Sequence, residues 1–381
     1  MSRIKKILQA TIYLIILIML FVIGNIMKLW KKEFRNIWII SERGIDARDN
    51  AFVFYKYLRT EHPEINAYYI ISKNCADYKK VLPYGNIILY KSLKHYLFLS
   101  IAKYKISTHD QGYTPNMVIF HWIHKLPLHF FGKEIFLQHG IIKDDIPWYH
   151  RNECKPDLFV TSTQEEFDFV KKYFKQPSPQ LQLIGLCRYD NLNQLNNPKN
   201  QILLMPTWRK GINTKEDFLK SEYYKKYQSL ITNKNLLTFL EHNNTDLIFY
   251  PHIEFQKFLN CFKQKSKHVI LANMKDYDVQ KLLIDSKILI TDYSSVFFDF
   301  AYLNKPIIFY QFDQNFFYAN HYNRGYFDFN KIGKVVSCES ELIETIFNPT
   351  LSLEQLTYLG NLYKYKDAKN CERTYKRILK L

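Results

Sequence analysis

Glycine-rich phosphate loops are missing from this sequence. No GxxxxGKS/T run occurs, which excludes a P-loop site, and no GxGxxG follows a strand, so a dinucleotide-binding domain lacks its fingerprint. Cysteine is sparse. Its six copies, Cys75, Cys154, Cys187, Cys261, Cys338 and Cys371, lie far apart with no CxxC and no Cys/His ligand spacing. That excludes a zinc site and fits a reduced, cytoplasmic setting. No DxD-like acidic pair closes a strand; Asp144-Asp145 comes nearest, and it lies on a loop, so no metal is expected. Acidic residues are outnumbered 36 to 53, for a net charge of +17. The surplus implies a polyanionic partner: nucleic acid, an anionic membrane face or a phosphorylated substrate. Aromatics reach 17% but form no compact run interleaved with arginine, which sets nucleic acid aside. Short-period repeats and low-complexity tracts are also absent.

What is present begins with a long apolar stretch. Residues 7–27, ILQATIYLIILIMLFVIGNIM, follow Arg3, Lys5 and Lys6 and precede Lys28, Lys31 and Lys32. A helix of about 20 residues spans the hydrocarbon core of a bilayer. No small-residue cleavage site follows, so residues 1–32 are expected to stay as a membrane anchor; a helix lying in the interface and an apolar element buried on the globular body are the alternatives. Basic residues on both flanks leave the orientation open.

From residue 36 the pattern alternates. Strand-like runs at 37–40, 67–72, 86–90, 105–108, 134–138, 157–162 and 181–185 are interleaved with helical periodicity at 47–58, 92–104 and 163–174. A polar, Asn-rich stretch, 188–201, reads as a linker. The alternation restarts with runs at 202–206, 246–251, 268–273, 287–291 and 306–310, and helical stretches at 216–241, 253–264, 276–285 and 294–303. Strands alternating with helices predict parallel sheets covered on both faces. The expected architecture is α/β: two doubly wound Rossmann-like domains, 33–187 and 202–381, facing across a cleft. Ligands of such sheets bind beyond the carboxyl ends of the strands.

Polar groups gather at those ends. In EIFLQHGIIKDD a strand stops at His139-Gly140, either a buried core histidine or a base at a strand end. In KILITDYSSVFFDF a strand runs into Asp292, and a helix starts near Ser294 or Ser295. Free helix-terminal amides and two hydroxyls make an anion site; an ordinary N-cap is the plainer alternative. MPTWRK places Arg209 after a strand, FYPHIEF places His252 there, and HYNRGYFDF carries Arg324 in a loop. Each is weak alone. Together they offer the converging donors that a diphosphate needs.

These segments, FLQHGIIKDD, MPTWR, YPH, TDYSSVFFDFAYLNKPIIFY and NRGYFDF, keep the order and approximate spacing of the CDP-glycerol glycerophosphotransferases of teichoic acid and capsule synthesis. The chain resembles that family over roughly 36–365. The resemblance implies a GT-B-like fold and transfer of a polyol phosphate from a CDP-polyol to a hydroxyl of a lipid-linked saccharide, at the cytoplasmic membrane face, with release of CMP. It implies a catalytic His139, assisted by His252. Arg209, Ser294, Ser295 and Arg324 would surround the donor diphosphate, with Asp292 and Asp299 in the same motif. No cofactor is called for. One departure falls on the acceptor side: many members carry Trp before the histidine, where this chain has Gln138. The segment 116–131, with His121, His124, Lys125 and His129, reads either as an interfacial element beside the acceptor or as a buried helix with a basic edge. A nucleotide-sugar glycosyltransferase and a non-catalytic, membrane-tethered glycolipid binder are the competing readings.

Overall fold

Short runs of Ile, Leu, Val, Phe and Tyr that are apolar at every position, not at alternate ones, suit strands covered on both faces. A computed structural model, which describes residues 3–124, 132–192 and 198–381, places them there. The first sheet comprises β1 (Trp38–Ser41), β2 (Ala67–Ile71), β3 (Ile87–Leu89), β4 (Tyr104–Ser107), β5 (Lys133–Phe136), β6 (Leu158–Thr161) and β7 (Leu181–Leu183), all parallel, in the order β3-β2-β1-β4-β5-β6-β7. The second comprises β8 (Gln201–Leu204), β9 (Asp246–Phe249), β10 (Val269–Leu271), β11 (Ile288–Thr291), β12 (Ile307–Tyr310) and β13 (Lys334–Val336), also parallel, in the order β10-β9-β8-β11-β12-β13. In both, the order reverses around the first strand, which makes a switch point at its carboxyl end. The chain is therefore α/β with two doubly wound parallel sheets, as the alternation predicts.

Two compact units result: residues 1–139, 147–190 and 367–381 form one, and 140–146 with 191–366 the other. The carboxy-terminal helix Asn370–Ile378 thus belongs with the first unit, although the expected second domain ran from 202 to 381. Asp190 accounts for this, since its carboxylate accepts from the Asn370 and Cys371 amides at 2.9 and 2.8 Å. Arg373 Nε adds a bond to the Ile184 carbonyl at 3.0 Å. The stretch read as a linker also differs. Cys187–Asn191 form a 3-10 turn in which Arg188 and Tyr189 are buried. The expected helix 216–241 is three helices, because Ser221 and Asn233 each turn a side-chain oxygen onto following amides and start a new one. Of the segment 116–131, Met117–His124 is helical; Lys125 and His129 lie outside the described residues.

The amino-terminal helix Arg3–Trp30 packs one stripe against the first unit. Ala10, Tyr13 and Leu17 are buried, and Tyr13 meets Tyr96 edge to face at 5.8 Å. A Cβ on Gly24 would come within 2.5 Å of the Ile101 side chain. The opposite stripe, with Ile12, Ile15, Met19, Val22 and Ile26, is exposed.

Candidate active site

The second unit's polar strand ends come from β9, β8, β11 and β12, four neighbours in the sheet, so they share one edge. Asp292, just beyond β11, is completely buried. Its Oδ1 accepts from the Thr207 and Tyr293 amides at 2.8 and 2.6 Å, and its Oδ2 from Arg209 Nη1 at 2.9 Å. Arg209 itself is 1% exposed. Its Nε and Nη2 fork onto the two oxygens of Asp313 at 2.6 and 3.0 Å, and Nη1 also reaches the Thr207 carbonyl. Tyr223, Tyr293, Phe312 and Phe317 enclose the guanidinium at 5.2–5.8 Å. Burial opposes the charge on Arg209, but the two carboxylates outweigh it and hold the group protonated far above its ordinary range. Arg209 is therefore turned inward, not toward a ligand, and it neutralises the Asp292 charge that would otherwise repel an anion at the same turn.

Ser294 and Ser295 are half-buried beside it. Ser295 stands at the N-cap of the seven-residue helix Val296–Tyr302, without a side-chain cap bond, while Ser294 Oγ accepts from the Val296 amide at 3.4 Å. Asp299 lies buried in that helix's first turn. His252 caps the 3-10 helix Ile253–Cys261: its Nδ1 accepts from the Glu254 amide at 3.3 Å, so the ring proton sits on Nε2 in the neutral form. Trp208 connects this edge to a further imidazole. It lies parallel to His252 at 6.2 Å and edge-on to His321 at 4.9 Å. His321 Nε2 accepts from the Lys210 amide at 2.9 Å. Burial and then the Arg209 charge push His321 down to about 4, so it is neutral at ordinary pH. Arg324 is exposed, 5.9 Å over the Tyr318 ring. The next residue, Gly325, presses on the segment that follows His139 in sequence: a Cβ there would lie 1.9 Å from the Lys143 carbonyl. Lys143 and Asp144 pair with each other, and the Asp145 amide bonds the Asn323 carbonyl at 3.1 Å.

In the first unit His139 is not a core histidine, for its side chain is 65% exposed. Its Nδ1 is bonded to Asp49 Oδ2. Asp49 caps the helix Asn50–Glu61; the expected helical stretch 47–58 enclosed it, so this carboxylate carried no mark of its own in the sequence. Burial raises the Asp49 carboxyl, but Arg188 and His139 outweigh it and hold the group below the usual carboxylate range. A second imidazole, His109, lies 4.8 Å from the His139 ring, and burial, assisted by His139 and Arg43, pushes it down to about 3. His109 stands two residues beyond the end of β4, the neighbour of the strand that leads to His139, so its place after a strand was a usable signal. Trp208 in MPTWRK and Asp313 three residues beyond β12 had the same kind of place, whereas His321 carried no such mark.

Residues 24–380 match the family described as CDP-glycerol:poly(glycerophosphate) glycerophosphotransferase. The chain belongs to this family. It is 32% identical over 365 residues to the minor teichoic acid biosynthesis protein GgaB of Bacillus subtilis (strain 168), a match covering 91% of this chain and 40% of that protein. The chain thus spans about two fifths of the length of that relative. A teichoic acid glycerol-phosphate transferase of Staphylococcus aureus (strain NCTC 8325 / PS 47) is 24% identical over 346 residues, covering 81% of this chain and 82% of the relative. Among solved structures, the wall teichoic acid polymerase TagF superposes with a TM-score of 0.66 at 16% identity, over 100% of this chain and 99% of that one. The fold is accordingly GT-B-like.

Proposed function

We propose that this protein transfers glycerol phosphate, or a related polyol phosphate, from a CDP-activated donor to a hydroxyl of a lipid-linked saccharide, releasing CMP, in teichoic acid or envelope polymer synthesis. The observation that carries the reading is His139: an exposed imidazole whose Nδ1 is taken up by a buried carboxylate, in a chain of this family. With Nδ1 as donor, Nε2 keeps its lone pair and can accept the proton of an attacking hydroxyl. The hydroxyl oxygen bonds to the phosphorus next to the polyol as the bond to CMP breaks, a step governed by position and charge stabilisation. We assign donor recognition to the β8, β9 and β11 ends. Ser294, Ser295 and Arg324 hold phosphate oxygens, and His252 directs its Nε2–H at the leaving phosphate as a hydrogen-bond donor while CMP departs as the anion. Arg209, with its donors directed at Asp292 and Asp313, supports this surface from behind. Asp299, buried in the first turn of the helix that follows the serines, supports it likewise.

The acceptor's lipid requires a membrane. The helix Ile4–Trp30 is long and apolar enough to cross one. Its buried stripe argues for lying along the surface instead: pushing it through a bilayer would strip Tyr13 and Leu17 from the first unit or draw that unit's polar surface into hydrocarbon. The exposed stripe, with Val118 and Trp122 exposed on the helix Met117–His124, supplies apolar area for an interfacial seat on the cytoplasmic face, and the basic surplus favours anionic lipid.

The test is incubation with a panel of CDP-polyols and membrane lipid extract. CMP release from a CDP-polyol, abolished in His139→Ala, supports the reading. Release of a nucleoside diphosphate from a sugar nucleotide makes the protein a glycosyltransferase, and acceptor binding without turnover makes it a lipid-tethered binder.

A further inference from the structure

The anchorage of His139 goes deeper than its one carboxylate. Asp49 Oδ2 takes the ring Nδ1, while Oδ1 accepts from the Asn50 amide at 2.7 Å and from Arg188 Nη1 at 2.6 Å. The same Arg188 Nη1 donates to the carbonyl of His139 itself. The Arg188 amide donates to Asn50 Oδ1 at 2.9 Å, and Asn50 Nδ2 donates to the Gln138 carbonyl at 2.7 Å. Both carbonyls flanking the histidine are therefore held, and so is the ring. Gln138 needs such restraint, because it takes φ +66°, a left-handed conformation uncommon outside glycine. Its Nε2 is tied to the buried Glu166 at 3.1 Å.

The contrast in exposure gives this arrangement its meaning. Asn50, Asp49 and Arg188 are 0%, 6% and 8% exposed, yet the ring they hold is mostly in the open. Burying an ion pair and a carboxamide costs free energy that packing alone would not repay at a solvent-facing histidine. A core histidine would satisfy both nitrogens inside. Here the buried groups take one nitrogen, and the other makes no bond among the described residues.

We propose that Arg188 and Asp49 are positioning residues for the transfer reaction: together they fix the tautomer and the direction of His139. The proposal rests on His139 being the base. Asp49 accepts from Nδ1–H and so reserves Nε2 for the substrate. Arg188 keeps Asp49 ionised and prevents the 138–139 backbone from rotating the ring away. The sequence pattern placed Arg188 in a linker, and its role follows from partners 49 to 139 residues distant.

Asp49→Asn keeps the helix cap, because Asn caps a helix about as well as Asp, while it removes the charge that faces Arg188. Its amide can donate to Nδ1 and so move the ring proton to Nε2. In the serine-protease triad, replacing the orienting carboxylate by its amide lowers kcat by about 10⁴. The expected result for Asp49→Asn is a kcat for CMP release reduced by roughly 10²–10⁴, with the donor KM within about twofold of wild type and a lowered thermal melt, because the buried Arg188 loses its counter-charge. Arg188→Met should lower kcat in the same direction, and Arg188→Lys should restore part of it. Imidazole ¹⁵N NMR on the full chain, with the His139 signal identified by its loss in His139→Gln, supplies a readout independent of turnover. The wild-type ring should be protonated at Nδ1 and the Asp49→Asn ring at Nε2. If Asp49→Asn and Arg188→Met keep kcat within about threefold, or if the tautomer is the same in all variants, the proposal is overturned. If His139→Ala retains turnover, the base assignment fails instead, and the NMR result still decides whether the clamp exists.

Discussion

Arg209→Ala separates two roles that the sequence leaves together, donor ligand and buried keystone. The guanidinium is 1% exposed and bonds both oxygens of Asp313, one of Asp292 and the Thr207 carbonyl. Truncation leaves two buried carboxylates facing each other without a cation and empties the space among Tyr223, Tyr293, Phe312 and Phe317. Breaking a buried pair by removing one partner costs about 3–5 kcal/mol, and here one cation serves two partners, so the upper end applies. For a domain of 150–250 residues each kcal/mol moves Tm by about 2–4 °C, which gives a fall of roughly 10–20 °C. Arg209→Lys keeps the charge but not the fork and should lose about half as much. Combining Arg209→Met with Asp292→Asn and Asp313→Asn removes every charge at once. It should recover most of the loss, since the carboxamide oxygen introduced by Asp292→Asn would still accept from the Thr207 and Tyr293 amides. Differential scanning calorimetry on the full chain reads all three variants. A melt of Arg209→Ala within about 2 °C of wild type, accompanied by a donor KM raised about tenfold or more, would refute the inward placement and return Arg209 to the phosphate.

Three further outcomes are expected. His95 is buried, with Nδ1 accepting from the Lys91 amide at 3.1 Å and Nε2 bonded to the Tyr113 carbonyl at 2.8 Å; burial pushes it down to about 4. Its folded pKa thus lies below the unfolded value, so the stability it contributes is complete above about pH 6.5 and drains away as pH falls toward 4, by on the order of 3 kcal/mol, and urea melts of His95→Gln across that range should show a flatter slope than wild type. Gly325→Ala should lower the melt and the turnover, because the new methyl would collide with the Lys143 backbone, whereas Gly360→Ala, in the helix Leu353–Leu362 with open space around it, should raise stability by about 0.5–1 kcal/mol; equal melts for the two would contradict the packing. Met19→Asp on the exposed stripe of the amino-terminal helix should weaken binding to anionic vesicles and leave the melt alone, while Leu17→Asp should lower the melt; a spanning helix would instead lose membrane extraction resistance with both.

Much of the architecture could be read from local pattern. Parallel strands buried on both faces are apolar throughout, so IWII, AYYIIS and KILIT announce themselves, and the turn residues after them mark the strand ends where chemistry collects. The last third of the second unit was not legible in the same way. β13 is three residues long with one end exposed, and the helices Gln314–Asn320 and Glu339–Phe347 are short and border polar loops. The amino-terminal stretch was legible as a long apolar helix, but not the side on which it packs.

Composition and spacing by themselves determined the alternation of strand and helix, the polar strand ends and the histidine placed after β5, because each depends on neighbours a few residues away. Only the tertiary structure decided which way those side chains point. Arg209 turned inward because Asp313 waits 104 residues further on, and Arg188 left its polar stretch for Asp49, 139 residues back. Charges choose partners through space, and spacing along a chain carries no record of that choice.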